Sequence, residues 1–202
     1  MTAIPFPAQL PNTQEWGLRS NTQTSASPLT GSTQTIELPG AAWTVQLSFK
    51  TLTPSQMRIM AAFMVRMRGQ AGRFTLHNHA YDAPLGVASG SPKVSGAGQT
   101  GTSLVTAGWT PNTPGILLAG DYIGVGGKLK MVVEDASSDA GGNAALLIEP
   151  PIYPGQAPAD LTVIVVDKPT CTMMLDANTV KWSTQPPRLS SFTIGAVEDV
   201  LS

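Results

Sequence analysis

The segment TPSQMRIMAAFMVRMRGQAGRFTL at residues 53–76 most limits the folds open to this chain, because it predicts a helix that leads directly into a strand. Thr53 has the position of an N-cap, with Gln56 placed to complete a capping box. Pro54 suits the first helical position, which needs no N–H donor. We therefore expect a helix over residues 54–68, followed by a half-buried strand in the alternating letters RFTLH.

The predicted helix has a broad apolar face. At about 100° per residue, its apolar side chains share one arc, and Arg58 and Arg66 fall opposite. The arc contains Met57, Ile59, Met60, Ala61, Phe63, Met64 and Met67. We predict that it is buried as an adaptable core beneath a sheet, rather than forming a partner groove or a cofactor box. Gly69 and Gly72 tolerate positive φ and are expected to end the helix.

Composition narrows the range of functions. The chain has 202 residues, of which 42% are hydrophobic and only 12% are charged, and its formal net charge is -1. The hydrophobic content is enough to bury a core. The weak charge gives no reason to expect binding to nucleic acid or to an anionic membrane. A weakly charged surface also favours self-association.

The termini and the cysteine content exclude other classes. Cys171 is the single cysteine, so neither an intramolecular disulfide nor a cysteine-based metal site is expected. Residues 1–13 lack a basic signal-peptide region and are interrupted by proline, so we expect an arm outside the core. No apolar run approaches the roughly 18 residues that span a bilayer, so we expect no membrane insertion.

Strand patterns dominate the rest of the chain. The cleanest is Ala42–Leu52, in which apolar and polar side chains alternate from Trp43 to Lys50. Residues 81–166 show almost no helical periodicity, and six short strands in about 85 residues suit a small barrel. The other candidate strands are 33–38, 84–94, 103–108, 122–125, 129–134, 144–149, 161–166, 172–175, 180–183 and 192–197. The predicted fold class is mainly β with one helix.

Two segments resemble binding motifs but lack residues that those motifs need. GVGGK at 124–128 resembles a fragment of a phosphate-binding loop, but Leu129 replaces the Ser or Thr that binds magnesium, and no helix is predicted after it. His77 and His79 share one face of a predicted strand, but only Asp82 is close enough in sequence to add a third metal ligand. We predict no metal or cofactor site.

Catalytic arrangements are equally hard to find. Cys171 lies in an apolar strand with nothing to lower its pKa. Glu134 and Asp135 are adjacent on a predicted strand and so point to opposite faces, which suits joint acid–base chemistry poorly. The polar loop over residues 135–143 lacks the spacing of a calcium-binding loop and is expected to end a hairpin. We therefore predict no catalytic residues and no enzymatic activity.

Several short motifs follow one another along the chain. They are SPLTG at 27–31, Gly40 with Trp43, RGQAGRF at 68–74, LAGD at 118–121, GGKL at 126–129, a hairpin at 139–147, IEPP at 148–151 and the closing segment 192–201. Their order resembles the distal tail proteins of long-tailed bacteriophages and related particles. The resemblance covers nearly the whole chain.

That resemblance implies both a domain organisation and a function. It implies a discontinuous, β-sandwich-like ring domain from residues 1–80 and 168–202, with an OB-like barrel inserted at 81–167. It also implies a structural virion protein of the tail tip, made in the host cytoplasm. Members form homohexameric rings between the tail tube protein and the tail-tip or baseplate hub protein, near the tape measure protein, and DNA passes through the ring.

Two other classes of function stay open. OB-like barrels commonly bind oligosaccharides or single strands, so the barrel could contact a host-surface saccharide or another tip protein. The candidate contact residues are Trp109, Tyr122 and Tyr153, and Tyr81 is a further aromatic of this region. The favoured interpretation is that these aromatics pack the barrel or its interface. Single-stranded nucleic acid is disfavoured, because the only basic residues of this region are Lys93, Lys128 and Lys130. A glycan hydrolase would need an acid pair that the sequence does not place.

Overall fold

The computed structural model describes residues 2–200 and shows, within them, a mainly β chain with one α-helix. The strands form sheets of seven, six and two strands. The elements of the first half are β1 Ile4–Pro5, β2 Thr13–Arg19, β3 Thr22–Ala26, β4 Thr33–Glu37, β5 Ala42–Leu52, α1 Pro54–Met67 and β6 Phe74–His77. Those of the second half are β7 Gly90–Val94, β8 Gly101–Trp109, β9 Tyr122–Val125, β10 Lys128–Val132, β11 Ala144–Ile152, β12 Ile164–Val165, β13 Thr170–Leu175, β14 Ser183–Gln185 and β15 Leu189–Glu198.

The seven-stranded sheet joins both ends of the chain. Its order is β1-β6-β13-β15-β5-β2, and β14 also pairs with β15. The predicted alternation of β5 is confirmed, because its apolar side chains are buried while Gln46 and Lys50 are exposed. Its buried residues include Trp43, Val45, Leu47 and Phe49. The sheet thus presents one apolar face to a core and one polar face to solvent.

Helix α1 covers the apolar face of this sheet. The predicted N-cap is confirmed, since the Thr53 side chain accepts from the backbone of Gln56 and the Gln56 side chain accepts from the backbone N–H of Thr53. The helix ends at Met67, and Arg68 forms the C-cap with a φ of 50°. Gly69 has the expected positive φ of 65°. Gly72 does not, and its φ is -79°.

The buried arc of α1 is narrower than predicted. Met57, Met60, Phe63, Met64 and Met67 are buried. The expectation that Ile59 is buried was wrong, since this side chain is 61% exposed. Ile59 lies at the edge of the arc, about 40° beyond Phe63 at 100° per residue, where the sheet no longer covers the helix.

The N-terminal arm packs into this core rather than lying outside it, so that expectation was wrong. Strand β1 pairs in parallel with β6 through Ile4 and Phe74. The Phe6 ring then lies 5.1 Å from the Phe63 ring and 5.7 Å from the Phe74 ring, measured between centroids. Such aromatic contacts add to the burial of apolar area. The arm therefore closes one edge of the sheet.

The six-stranded sheet is a nearly closed barrel with its own core. Its order is β12-β9-β10-β11-β8-β7. The two end strands approach each other, because Val94 N–H donates to the Thr162 carbonyl at 2.9 Å and Leu161 N–H donates to the Val94 carbonyl at 3.0 Å. The predicted fold class, a mainly β chain with a barrel and a sandwich-like part, is confirmed. The division at residues 81 and 168 stays a prediction.

Some strand predictions need correction. Strands β2 and β3 were not predicted, because Trp16 and Leu18 are the only large apolar residues that alternate in β2 and β3 has none. The strand predicted at 84–94 begins only at Gly90, since the Leu85 and Gly86 N–H groups donate to the Asp121 carboxylate instead of a neighbouring strand. The strand predicted at 180–183 starts only at Ser183, and that predicted at 161–166 is reduced to Ile164–Val165.

Replacing Phe63 with Asp is expected to abolish cooperative folding. Phe63 is 6% exposed, and the lost packing alone costs about 3–5 kcal/mol, against a typical total stability of about 5–15 kcal/mol. The buried carboxylate adds a further penalty. Ile59→Asp is the matched control on the exposed face and should retain a cooperative urea transition. A cooperatively folded Phe63→Asp protein would show that this face of α1 is not a core face.

Candidate interaction surfaces

The three aromatic residues predicted as contacts lie in different parts of the molecule. Trp109 is 3% exposed in the barrel core, and its Nε1–H donates to Thr106 Oγ1 at 2.8 Å. Tyr122 is half-buried between the barrel and the seven-stranded sheet. Tyr153 is half-buried beside the base of the β3–β4 hairpin, and its hydroxyl accepts from the Ala41 N–H at 3.2 Å. No ring contact in the described chain joins any two of them.

The segment whose sequence resembles a phosphate-binding loop forms a β-hairpin turn. Residues 124–128 form the tight hairpin between β9 and β10, and Gly126 and Gly127 supply its positive φ values of 56° and 78°. Two successive positive φ values are typical of a type I′ turn, which suits glycine. The Lys128 ammonium donates to the Asp199 carbonyl at 2.5 Å. This lysine is therefore committed to an internal contact.

The histidine pair is close but incomplete as a metal site. The rings of His77 and His79 have centroids 4.4 Å apart, and His79 Nε2 is buried without a hydrogen-bond partner. Asp82 Oδ1 lies 3.8 Å from the Lys168 ammonium. Across residues 2–200, no group of three or more His, Cys, Asp or Glu side chains is placed to hold a metal ion.

The Cys171 thiol is buried, and the Asp139 carboxylate is hydrogen-bonded within its own loop. Burial raises the pKa of the Cys171 thiol well above its usual range, which disfavours the nucleophilic thiolate. Asp139 closes the loop over 135–143 by accepting from the backbone N–H groups of Gly141 and Asn143, each at 2.8 Å. These hydrogen bonds lower the pKa of Asp139. This geometry is that of a hairpin end.

A junction missed by sequence reasoning joins the barrel to the seven-stranded sheet. Trp43 Nε1–H, from β5, donates to the carbonyl of Leu129, on barrel strand β10, at 2.9 Å. The Leu129 side chain belongs to the core around α1 rather than to the barrel core. Tyr122 packs 5.6 Å from Trp43 and 5.2 Å from Tyr81, between ring centroids. Burial raises the pKa of Tyr81 to about 12.

Buried charges surround this junction. Glu198 Oε2 accepts from the Trp43 N–H at 3.2 Å, and the Lys130 ammonium donates to the Pro151 carbonyl at 3.1 Å. Burial raises the pKa of Glu198, and the hydrogen bond from the Trp43 N–H, together with the nearby Lys130, partly opposes that effect. Burial also lowers the pKa of Lys130. Arg73 and Asp199 form an ion pair at the same edge. The junction therefore holds charges that must keep their partners.

The β3–β4 hairpin is exposed along its whole length. Every residue of both strands is exposed, and the apolar side chains Leu29 and Ile36 are 95% and 60% exposed. β3 and β4 pair only with each other, as a two-stranded sheet. Such a hairpin is marginally stable alone, and its free edges can pair with another chain. It extends from β2 and β5, which are in register at Arg19 and Ala42.

Two open grooves lie on the polar face of the seven-stranded sheet. One, of about 790 Å³, includes Glu15, Gln46 and Asp176 in its lining. The other, of about 640 Å³, includes Lys50 and Trp182, which at 46% is the most exposed of the four tryptophans. Sequence patterns did not single out Trp182, because it follows an irregular loop. The polar face is therefore open to solvent.

No protein-family model matches the chain, and no curated protein is similar enough to count as a match. Between residues 2 and 200, no helix is long and apolar enough to cross a membrane. The exposed hairpin and the surfaces around it are therefore the basis for a functional proposal.

Replacing Trp43 with Phe should lower the free energy of unfolding by about 1–3 kcal/mol, because the buried Leu129 carbonyl loses its donor. Urea unfolding would measure the change. Trp16→Phe, on the neighbouring strand, is the control, because Trp16 Nε1–H makes only a 3.4 Å contact with Gln14. Equal stabilities of the Trp43→Phe and Trp16→Phe proteins would contradict the role assigned to the junction.

Stability should fall on acidification below about pH 6.5, the ordinary pKa of histidine. Burial, and next to it Lys168, lowers the pKa of His77, while burial and His77 lower the pKa of His79. The unfolded chain therefore binds more protons in this window, and stability rises with pH through it. In the His77→Gln/His79→Gln variant, the difference in stability between pH 5.5 and 7.5 should shrink. An unchanged difference would show that other groups cause the pH dependence.

Proposed function

We propose that this chain is a structural, non-enzymatic protein of the tail tip of a long-tailed bacteriophage. In this proposal, six copies form a ring between the tail tube protein and the hub protein, with the tape measure protein nearby and DNA passing through the channel. The observation that carries the proposal is the β3–β4 hairpin, which is exposed along both strands. The resemblance to distal tail proteins supplies the tail location and the copy number.

The hairpin is poorly suited to a protein that acts alone. Its strands are rich in Thr, which favours extended structure, and carry exposed Ile36, while the turn between them carries exposed Leu29. A free two-stranded hairpin contributes little stability and presents unpaired backbone groups. Packing against another copy would satisfy those groups and cover the apolar side chains. The exposed hairpin therefore supports self-assembly.

A closed ring is the simplest assembly that uses such a contact. A hairpin that packs on a different part of the next copy makes a heterologous contact, which closes into a ring or continues as a filament. The low charge content of the chain, 12% against about 25% in typical domains, is consistent with extensive covered surface. The number six comes from the resemblance and from the symmetry of the tail tube.

The motifs behind the resemblance occupy positions with structural roles. SPLTG forms the turn of the exposed hairpin, and Trp43 joins the two sheets. In LAGD, the Asp121 carboxylate accepts from the N–H groups of Leu85, Gly86 and Leu118. In RGQAGRF, Arg73 pairs with Asp199. Because fold alone does not determine function, these positions support the proposal only together with the exposed hairpin.

The purified chain should self-associate to a hexamer of about 127 kDa, six times the 21.1 kDa of one copy, as native mass spectrometry and light scattering would measure. Replacing residues 20–41 with Asn-Gly should give a folded monomer. This turn joins Arg19 directly to Ala42, which are paired across β2 and β5, and Asn-Gly favours the required two-residue turn.

Point variants provide a sharper control for the hairpin. Ile36→Asp should weaken the hexamer, whereas Val163→Asp, on an equally exposed barrel residue, should not. The two side chains are 60% and 61% exposed, so the difference reports position rather than exposure. A chain that stays monomeric at every accessible concentration, or a hexamer that persists without residues 20–41, would contradict the proposal as stated.

A further inference from the structure

The outward face of α1 combines apolar and basic side chains. It is an arc of about 120° opposite the core, formed by Val65, Arg58, Ala62, Ser55, Arg66 and Ile59 in order around the helix. All six residues are exposed, including Val65 at 68%. Large apolar side chains beside arginines are typical of contact surfaces, where both residue types can be buried by a partner. We call these six residues the outer helix face.

The two arginines of the outer helix face have no acidic residue near them in the sequence. Between residues 38 and 81 the sequence contains five Lys and Arg residues and no Asp or Glu. In the described part of the chain, neither Arg58 nor Arg66 forms an ion pair with a carboxylate, since the pairs present are Arg73 with Asp199 and Lys168 with Asp82. The outer helix face is therefore a basic and partly apolar surface whose arginines pair with no carboxylate of residues 2–200.

The barrel has the opposite character. Residues 81–167 contain eight Asp and Glu residues but three lysines, and two of these, Lys128 and Lys130, are buried. After β10, the consecutive residues Val133, Glu134 and Asp135 are all exposed. Asp135 accepts from the Ala119 N–H at 2.9 Å, which holds this segment against the barrel. We call Val133–Glu134–Asp135 the acidic corner.

We propose that the outer helix face of one copy docks on the acidic corner of the next copy. The inference rests on the proposed ring and names a second contact within it. Each surface combines exposed apolar side chains with charges of one sign, and the signs are opposite. Complementary charge fixes register and speeds encounter more than it adds affinity. Because the two surfaces differ, each copy can contact one neighbour through its helix and the other through its barrel, as a ring requires.

Reciprocal charge reversal tests the contact. The first variant, Arg58→Glu/Arg66→Glu, gives the helix face the same sign as the acidic corner. The second, Val133→Lys/Glu134→Lys, gives the corner the same sign as the helix face and keeps the Asp135 contact. Each variant alone should self-associate about tenfold or more weakly than the unaltered chain, by light scattering and sedimentation. Circular dichroism and urea unfolding would confirm that both remain folded.

Mixing the two variants should restore the ring. When the variants alternate, every contact pairs a glutamate-bearing helix with a lysine-bearing corner, or an arginine-bearing helix with an unaltered corner. Native mass spectrometry of an equimolar mixture should therefore show hexamers with three copies of each variant. Lys181→Glu/Arg188→Glu, at exposed positions elsewhere, changes the net charge by the same amount as Arg58→Glu/Arg66→Glu and should assemble like the unaltered chain.

The outcomes separate this inference from the ring itself. If the unaltered chain forms hexamers and both variants do so equally well, the ring stands, the helix face serves another protein, and the inference is overturned. If each variant is weakened but the mixture is not restored, the two surfaces do not meet, and the inference is again overturned. If the unaltered chain does not self-associate, the ring proposal falls, and this inference falls with it.

Discussion

The hydrogen bond from the Trp43 indole to the Leu129 carbonyl is the contact on which the rest of the arrangement depends. It joins β5 of the seven-stranded sheet to a hairpin strand of the barrel, and the Leu129 side chain continues into the core beneath α1. Glu198 and Lys130 are buried beside this hydrogen bond. A substitution that removes a partner of either charge should therefore destabilise the junction. These contacts pack the barrel against the seven-stranded sheet. In the proposed ring, such packing would let the contact surfaces of each copy meet those of its neighbours at a constant angle.

The features that could be predicted from sequence are the ones set by neighbouring residues. The capping box of Thr53 and Gln56 and the alternation of β5 are local patterns with a direct physical cause. Features decided by distant contacts could not be predicted. Phe6 lies in a proline-interrupted segment, and only its parallel pairing beside β6 shows that it belongs to the core. The exposure of Ile59 depends on how far the sheet extends under the helix, which helical periodicity does not encode. The apolar and polar patterns of β2 and β3 are too weak to mark them as strands.

The interaction surfaces show the same division. Trp109 and Tyr122 are candidate contacts because they are aromatic residues of the barrel. In the structure, Trp109 lies in the barrel core and Tyr122 lies at the junction. The surfaces that remain uncovered are made of ordinary residues: Thr and Gln in the hairpin, Arg and Val on the helix, and acids after β10. None of these is a motif. We propose that these exposed surfaces form the contacts between copies of a structural ring component.

A reconstruction of tail tips that contain this chain, at a resolution that traces side chains, tests the central claim most directly. The account predicts six copies in one closed ring, each β3–β4 hairpin packed against a neighbouring copy, and a channel wide enough for duplex DNA. Three or twelve copies, hairpins that remain exposed to solvent, or a channel too narrow for the duplex would contradict it.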